Sequence, residues 1–368
     1  MAFSCEPIDD LEPQALGVTY WFDTPTDGEP FTVKVRYTGR RSGVKGKAGK
    51  GDAFDVVETL EDVLPGSGPV AVTTWLSDVT PGEWQVTAAG TIERPGAGGA
   101  AGREPRSRRS GAGSAAGKRL PSASSTGRTG YAPVIRVRAP GARLGAWPGL
   151  VSLGVVVALI MQSVLARRND LPATRILLIS LVASLIGLVG AKVYYYVEHR
   201  GRDLSLVTAG MCIQGFVLGA VGALVVESLL FGVSVGQVVD VSTPGLLFAM
   251  CIGRFGCFFG GCCVGRPTGS RWGLWSSDRR LGLRRIPTQL LESTLAFSIG
   301  LVALVAVLAR SEGPAGTIFV ASIAAYTLGR QLLFPLRDLP RHTHNGRTLT
   351  MVIAGAIALA AVGLALFT

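Results

Sequence analysis

The sequence predicts a mixed fold: an amino-terminal all-β sandwich followed by an all-α, polytopic membrane domain of about seven transmembrane helices. Three observations carry this expectation. Short runs of alternating apolar and polar residues, bounded by Pro-Gly turns, occupy residues 1–93. Continuous apolar segments fill residues 147–368. A basic stretch rich in glycine, alanine and serine, residues 94–130, separates the two.

The β region is read from its period. Val18, Tyr20 and Phe22 alternate with polar neighbours, and so do Phe31, Val33, Val35 and Tyr37. Period two is the mark of a half-buried strand. Further runs around 54–60, 70–76 and 83–87 are set off by Pro65-Gly66 and Pro81-Gly82, both turn signals. Several short strands at this spacing suggest an antiparallel sandwich of immunoglobulin or fibronectin type, with Trp75 and Trp84 in its core. Residues 94–130 hold too little apolar surface to offset ordering entropy, and are expected to be a disordered linker or inserted loop. Tyr131, Val134, Ile135 and Val137 then read as a last strand, within a connection over 131–146 that leads into the membrane domain.

The apolar segments lie near 149–166, 175–197, 207–232, 241–260, 289–309, 315–336 and 349–367. Each approaches the 20 or so residues that a bilayer crossing takes. Continuous apolar runs of this kind cross lipid as helices, since a barrel strand alternates. The connection from Gly265 to Thr288 is polar and carries Trp272 and Trp275, so it is expected to cap the membrane surface.

Composition limits the function classes. Charged residues make up 17% of the chain and mean hydropathy is +0.38. The net charge of +11 sits largely between Arg103 and Arg143. No nucleic-acid recognition motif accompanies it, so a solvated linker or an anionic lipid surface is the simpler reading. Residues 1–20 hold four acidic side chains and no apolar core, and no secretory signal is expected there. Orientation stays open: basic residues flank loops on both sides, and the basic linker favours a cytoplasmic amino-terminal region.

The residues that carry chemistry are intramembrane arginines. A guanidinium at bilayer depth is expensive and marks a meeting point with something anionic. Arg254 lies inside the fourth apolar segment, within Gly253-Arg254-Phe255-Gly256. Tyr326, Arg330 and Arg337 follow at i, i+4 and i+11 in the sixth and are expected to share one helical face. Guanidinium matches phosphate oxygens in a bidentate fork, so the expected ligand is a phospholipid headgroup. Snorkelling to the interface is the competing account. The glycines of 253–268 predict irregular backbone lining a lipid-entry cavity. Cys257, Cys262 and Cys263 do not match a standard zinc spacing. Small-residue packing is expected of them, with a disulfide as the alternative and no metal or cofactor. His199, His342 and His344 are expected in loops.

Taken together, these motifs resemble the prolipoprotein diacylglyceryl transferase family, over about residues 146–367. The resemblance rests on Gly253-Arg254-Phe255-Gly256, then Gly265-Arg266-Pro267-Thr268, Trp272-Gly273, Ile286-Pro287-Thr288-Gln289-Leu290-Leu291-Glu292, and Tyr326, Arg330 and Arg337 in order. It implies transfer of a diacylglyceryl group from phosphatidylglycerol to the lipobox cysteine thiol of a prolipoprotein, with glycerol phosphate leaving. It also implies a multi-pass protein of the plasma (inner) membrane, with prolipoprotein signal peptides and membrane lipids as partners. Arg254 and Arg330 would hold the phosphate. Tyr326, Arg337, Gly253, Gly256, Gly265, Arg266, Gln214, Gln289 and Glu292 would line the substrate site. The resemblance favours an outward-facing amino-terminal region, whose own partner is unknown.

Four positions depart from the family pattern. Gln214 stands where a histidine is common, Cys257 where an asparagine is, and Phe334 where a glutamate follows Arg330. The tyrosine expected at the start of the first membrane helix is not seen near Trp147. These departures keep two alternatives in view: a phospholipid-binding protein without turnover on the same scaffold, and a thiol-based redox protein using the three cysteines.

Overall fold

The computed structural model describes residues 11–44, 49–93, 118–199, 212–309, 313–339 and 345–367. The chain divides into two compact units. One comprises residues 1–147, 257–289 and 336–339, and the other residues 148–256, 290–335 and 340–368.

Among the described residues, the first unit holds ten strands: β1 (Gln14–Asp23), β2 (Phe31–Arg41), β3 (Ala53–Val63), β4 (Pro69–Leu76), β5 (Glu83–Glu93), β6 (Lys118–Arg119), β7 (Ala123–Arg128), β8 (Gly130–Tyr131), β9 (Leu274–Ser277) and β10 (Leu281–Arg285). They form two antiparallel sheets. One has the order β8-β1-β4-β10-β9, and the other β3-β2-β5-β6 with β7 also pairing with β5. The alternation read from the sequence decides which side chains go inside. Phe31, Val33, Val35 and Tyr37 of β2 are all buried, and they share one core with Tyr20, Phe22, Val70, Val72, Ala88 and Leu283. The Tyr37 hydroxyl donates to the Val72 carbonyl at 2.8 Å, so the buried phenol is satisfied. Trp84 is fully buried and donates to the Thr80 carbonyl; Trp75 is only half-buried.

Three expectations change here. Of the strand expected from Tyr131, Val134, Ile135 and Val137, only Tyr131 is in a strand, at the end of β8; the chain then turns into the single helical turn α1 (Ala132–Ile135), where Pro133 sits in the first turn. Proline supplies a helical φ there and removes only an N–H that had no intrahelical acceptor. Residues 118–130, expected as linker, contain strands that pair with β5 and β1. Finally, the polar connection after Gly265 is not an independent cap. Its hairpin, β9 and β10, continues the amino-terminal sheet, with Leu281 opposite Val72 and Gly282 opposite Ala71. Trp275 stacks on Trp21 with ring centroids 5.5 Å apart and donates to the Pro69 carbonyl.

The apolar segments are helices α2 (Ala146–Arg168), α3 (Ala173–Glu198), α4 (Ile213–Leu230), α5 (Val235–Gly260), α6 (Thr288–Ala309), α7 (Thr317–Leu333) and α8 (Gly346–Phe367). Six of them, all but α4, are long and apolar enough to cross a membrane, α7 being counted through its 3-10 extension to Leu336. Many large apolar side chains point outward, such as Leu229, Leu230, Val302 and Leu359. A water-facing surface would not carry so many, and a lipid-facing one does.

Inside the second unit, small residues and polar bridges replace a bulky core. A Cβ on Gly190 would meet the Gly215 carbonyl oxygen at 2.5 Å, so α3 and α4 touch backbone to backbone. The Gln162 amide of α2 donates to both Ser180 of α3 and Ser242 of α5, at 2.6 Å each. Asp240, buried in α5, caps α7 from outside that helix: its carboxylate accepts from the Gly316 and Phe319 amides at 2.7 and 2.9 Å. The start of a helix has unsatisfied N–H groups and a positive dipole end, and an apolar environment offers no water to meet either. Asp240→Ala is therefore expected to destabilise the protein by about 2 kcal/mol, read as a lower thermal midpoint in detergent micelles. An unchanged midpoint would remove this capping role.

Candidate active site

Helix α5 continues without a break through Gly253-Arg254-Phe255-Gly256 to Gly260. The irregular backbone expected here gives way to regular helix, because a helix satisfies its own N–H and C=O groups where water cannot. Leu247, Cys251 and Arg254 recur at i, i+4 and i+7 and so lie along one face. Helix α6 presents Glu292, Ser293, Ala296 and Ala303 in the same way. At the apolar end, Leu247 packs with Ala296, Ala303 and Tyr326 of α7. One step along, the Ser293 hydroxyl donates to the Cys251 carbonyl at 2.9 Å. Further on, the Arg254 guanidinium lies 2.8 Å from the Glu292 carboxylate. The carboxylate is 1% exposed and the guanidinium 15%.

This pair changes the electrostatic picture. Phe334, standing where the family pattern has a glutamate, provides no counter-charge for the arginines. Glu292 supplies one to Arg254. Paired charges can be held in a low-dielectric interior where a lone one could not. The Tyr326 hydroxyl is buried in the same cluster and has no hydrogen-bond partner among the described residues. A buried phenol without a partner is unusual and marks a place where a polar group can be received.

Arg330 sits in the last turn of α7 and is exposed. Arg337 does not continue that face. The helix ends at Leu333, a 3-10 turn covers Phe334–Leu336, and Arg337 belongs to the first unit, in a bridge with Gly265. Pro335 explains the break: it has no N–H for the α-helical ladder, and its ring crowds the preceding turn. The i, i+4, i+11 alignment therefore holds for Tyr326 and Arg330 alone.

In the first unit, the Gly265-Arg266-Pro267-Thr268 loop is stitched on both sides. The Arg266 amide donates to the Leu336 carbonyl, and its carbonyl accepts from Ile286. The Asp338 amide donates to the Val264 carbonyl, and the Thr268 amide to the Arg284 carbonyl. Gly265 is required, since a Cβ there would collide with the Ile286 carbonyl oxygen. The Arg266 side chain is exposed and Arg337 is buried. Gln289 is buried and its amide donates to the Cys262 carbonyl at 3.0 Å. Gln214 is the second residue of α4. His342 and His344 lie outside the described residues.

Sequence reasoning missed Arg285. It is 1% exposed and donates to three acceptors: Asp338 at 2.7 Å, Asp278 at 2.8 Å and the Gly265 carbonyl at 3.1 Å. It thereby ties the hairpin, the Gly-Arg-Pro-Thr loop and the segment after α7 together. The signal was present: Leu281, Leu283 and Arg285 alternate, which turns all three to the same side of a strand. Cys257, Cys262 and Cys263 cluster as thiols. Hydrogen bonds with Cys257 and Cys263, and then burial, push the Cys262 thiol far above its usual range. It stays protonated at neutral pH, which argues against it as a nucleophile.

Comparison with known proteins bears on this arrangement. A family model described as prolipoprotein diacylglyceryl transferase matches residues 141–368. The phosphatidylglycerol–prolipoprotein diacylglyceryl transferase of Nostoc sp. is 27% identical over 237 residues, covering 60% of this chain and 84% of that protein. The protein of the same name from Synechococcus elongatus is 29% identical over 236 residues, covering 59% and 82%. That from Acaryochloris marina is 32% identical over 149 residues, covering 39% and 54%.

Proposed function

Because the chain belongs to the prolipoprotein diacylglyceryl transferase family, we infer that it moves a diacylglyceryl group from phosphatidylglycerol onto the lipobox cysteine of a prolipoprotein. The observation that carries this to particular residues is the buried Arg254–Glu292 pair at the head of the α5–α6 contact. Glu292 orients the guanidinium and lowers the expense of keeping it among apolar helices. Arg254 presents its fork to the phosphate oxygens, and Arg330 supplies a second cation. The substrate thiolate attacks the terminal glycerol carbon of the diacylglyceryl group. A C–S bond forms and the C–O bond to phosphate breaks. The bonding pair departs on glycerol phosphate, where fixed cations stabilise the developing charge. Nearby cations also favour the thiolate form of the incoming cysteine. Tyr326, Gly253, Gly256 and Gln214, all of the second unit, join Arg254 and Arg330 as substrate-site residues in this reading.

A seven-span arrangement in the plasma membrane fits this activity, and parity supports it. The described residues of the first unit, drawn from before α2, from 257–289 and from 336–339, form one hydrogen-bonded body and so lie on one side. Two helices, α6 and α7, separate the later pieces, an even number. Four, α2 to α5, separate the earlier ones, and that number is even only if the shorter α4 crosses as well. The amino-terminal region then shares its side with the Gly-Arg-Pro-Thr loop, and the family reading makes that side the outer one. The two facing sheets fit a sandwich of immunoglobulin or fibronectin type as an accessory module.

The test is reconstitution. Purified protein in phosphatidylglycerol vesicles, given a lipobox peptide, is expected to yield thioether-linked diacylglyceryl peptide and glycerol phosphate in equal amounts. Unmodified peptide, under conditions where a relative turns over, would leave a lipid-binding scaffold instead of an enzyme.

A further inference from the structure

The three cysteines near the carboxyl end of α5 have no place in that mechanism. The Sγ atoms of Cys257, Cys262 and Cys263 all lie within 4.8 Å of one another. Three thiolates on one metal ion, at metal–sulfur distances of about 2.3 Å, have their sulfur atoms roughly 3.8–4.0 Å apart. Small side-chain rotations cover the difference. Burial is graded across the set: Cys257 is buried, Cys262 intermediate and Cys263 exposed. The cluster thus has an anchored ligand and a solvent-facing one through which an ion can enter.

The backbone is bent to make this arrangement. Gly261 has φ +67° and Cys263 has φ +56°. A left-handed conformation is ordinary for glycine, but for cysteine it stores strain of about 1–2 kcal/mol, the kind that accumulates at ligand-binding positions. The Cys262 amide closes the turn onto the Cys257 carbonyl at 3.0 Å. Two further side chains hold it. Gln289 donates to the Cys262 carbonyl at 3.0 Å, and the Arg279 guanidinium donates to the Gly260 carbonyl at 2.8 Å. Arg279 thereby brings a permanent positive charge beside a site that would hold up to three negative sulfurs. The Gln289 Oε1 atom is itself buried with no hydrogen-bond partner among the described residues, which leaves an acceptor beside the turn.

We propose that Cys257, Cys262 and Cys263 form a binding site for one thiophilic d10 cation. Sulfur ligands select soft and borderline ions over magnesium or calcium. Among the described residues no histidine or carboxylate joins the three thiols. The ion is therefore either trigonal copper(I), or zinc(II) with solvent in its fourth position. Either one replaces the thiol protons on binding. The site pins the end of α5 to the turn that follows it.

The experiment uses the whole protein in detergent, fully reduced and handled without oxygen. One arm titrates cobalt(II) as the spectroscopic stand-in for zinc and reads thiolate-to-cobalt charge-transfer absorption. The other offers copper(I) against a chromophoric chelator. Saturation at one equivalent in either arm is the expected result, and the arm that saturates tells which ion is held. Cys263→Ser, at the exposed position where folding is least at risk, is expected to weaken binding by about 100-fold, and the triple Cys→Ser variant to abolish it. Circular dichroism confirms that each variant is folded. No stoichiometric binding in either arm, binding undiminished in folded Cys263→Ser, or a disulfide among the three in the purified protein would each overturn the proposal.

Discussion

Arg254→Lys is expected to leave the protein folded while lowering transferase activity by about 100-fold or more. Lysine keeps the charge and so keeps a counter-ion for Glu292. It loses the planar fork that holds two phosphate oxygens at once, and a positioned donor aimed at a developing anion contributes about 10²–10³ in rate. Arg254→Ala goes further. It leaves the Glu292 carboxylate, 1% exposed, without the guanidinium 2.8 Å away. Breaking a buried pair from one side destabilises by about 3–5 kcal/mol, so the alanine variant confounds folding with chemistry. The double variant Arg254→Gln, Glu292→Gln separates the two. With both charges removed it is expected to keep its thermal midpoint and to be inactive. Near-normal turnover by a folded Arg254→Lys protein would mean that the phosphate is held elsewhere.

Arg285→Met is expected to have the second large effect, on stability. The substitution is close in volume and removes three hydrogen bonds at once. Asp278 and Asp338 are 33% and 48% exposed, so both carboxylates regain water, which limits the penalty. The Gly265 carbonyl lies in a buried residue and loses its donor. A loss of about 2–3 kcal/mol follows, with the Gly-Arg-Pro-Thr loop loosened first. Thermal melting reads the total, and limited proteolysis between Val264 and Asp278 reads the loop. A protease-resistant loop at an unchanged midpoint would show that the Arg285 contacts are dispensable.

The difference between these two arginines explains how much was legible in the sequence. Arg254 stood out because a charge inside an apolar run is expensive wherever it occurs, and that is a local property. The helices were legible for the same reason: unbroken apolar length can be counted along the chain. The strands β1 and β2 were legible from period two. What failed was non-local. The counter-ion of Arg254 lies 38 positions away on another helix, and only packing brings it near. The pairing of β10 with β4 joins residues some two hundred positions apart, and a strand's pattern does not name its neighbour. Local reasoning also erred where two rules competed. Glycines argued against helix over Gly253–Gly260, but the need to satisfy backbone groups away from water prevailed. Helical spacing argued for Arg337 on the face of α7, but Pro335 ended that helix first.

The shared sheet has an evolutionary corollary. The family match begins at residue 141, yet β9 and β10 are laid down with strands encoded before that point. The amino-terminal portion is consequently no detachable cassette. Excising it would uncover the long side of β10 and strip Trp275 of its partner, creating a sticky rim of the kind that invites aggregation. A substitution on β1 or β4 is therefore felt by β9 and β10, and the two segments are expected to vary together.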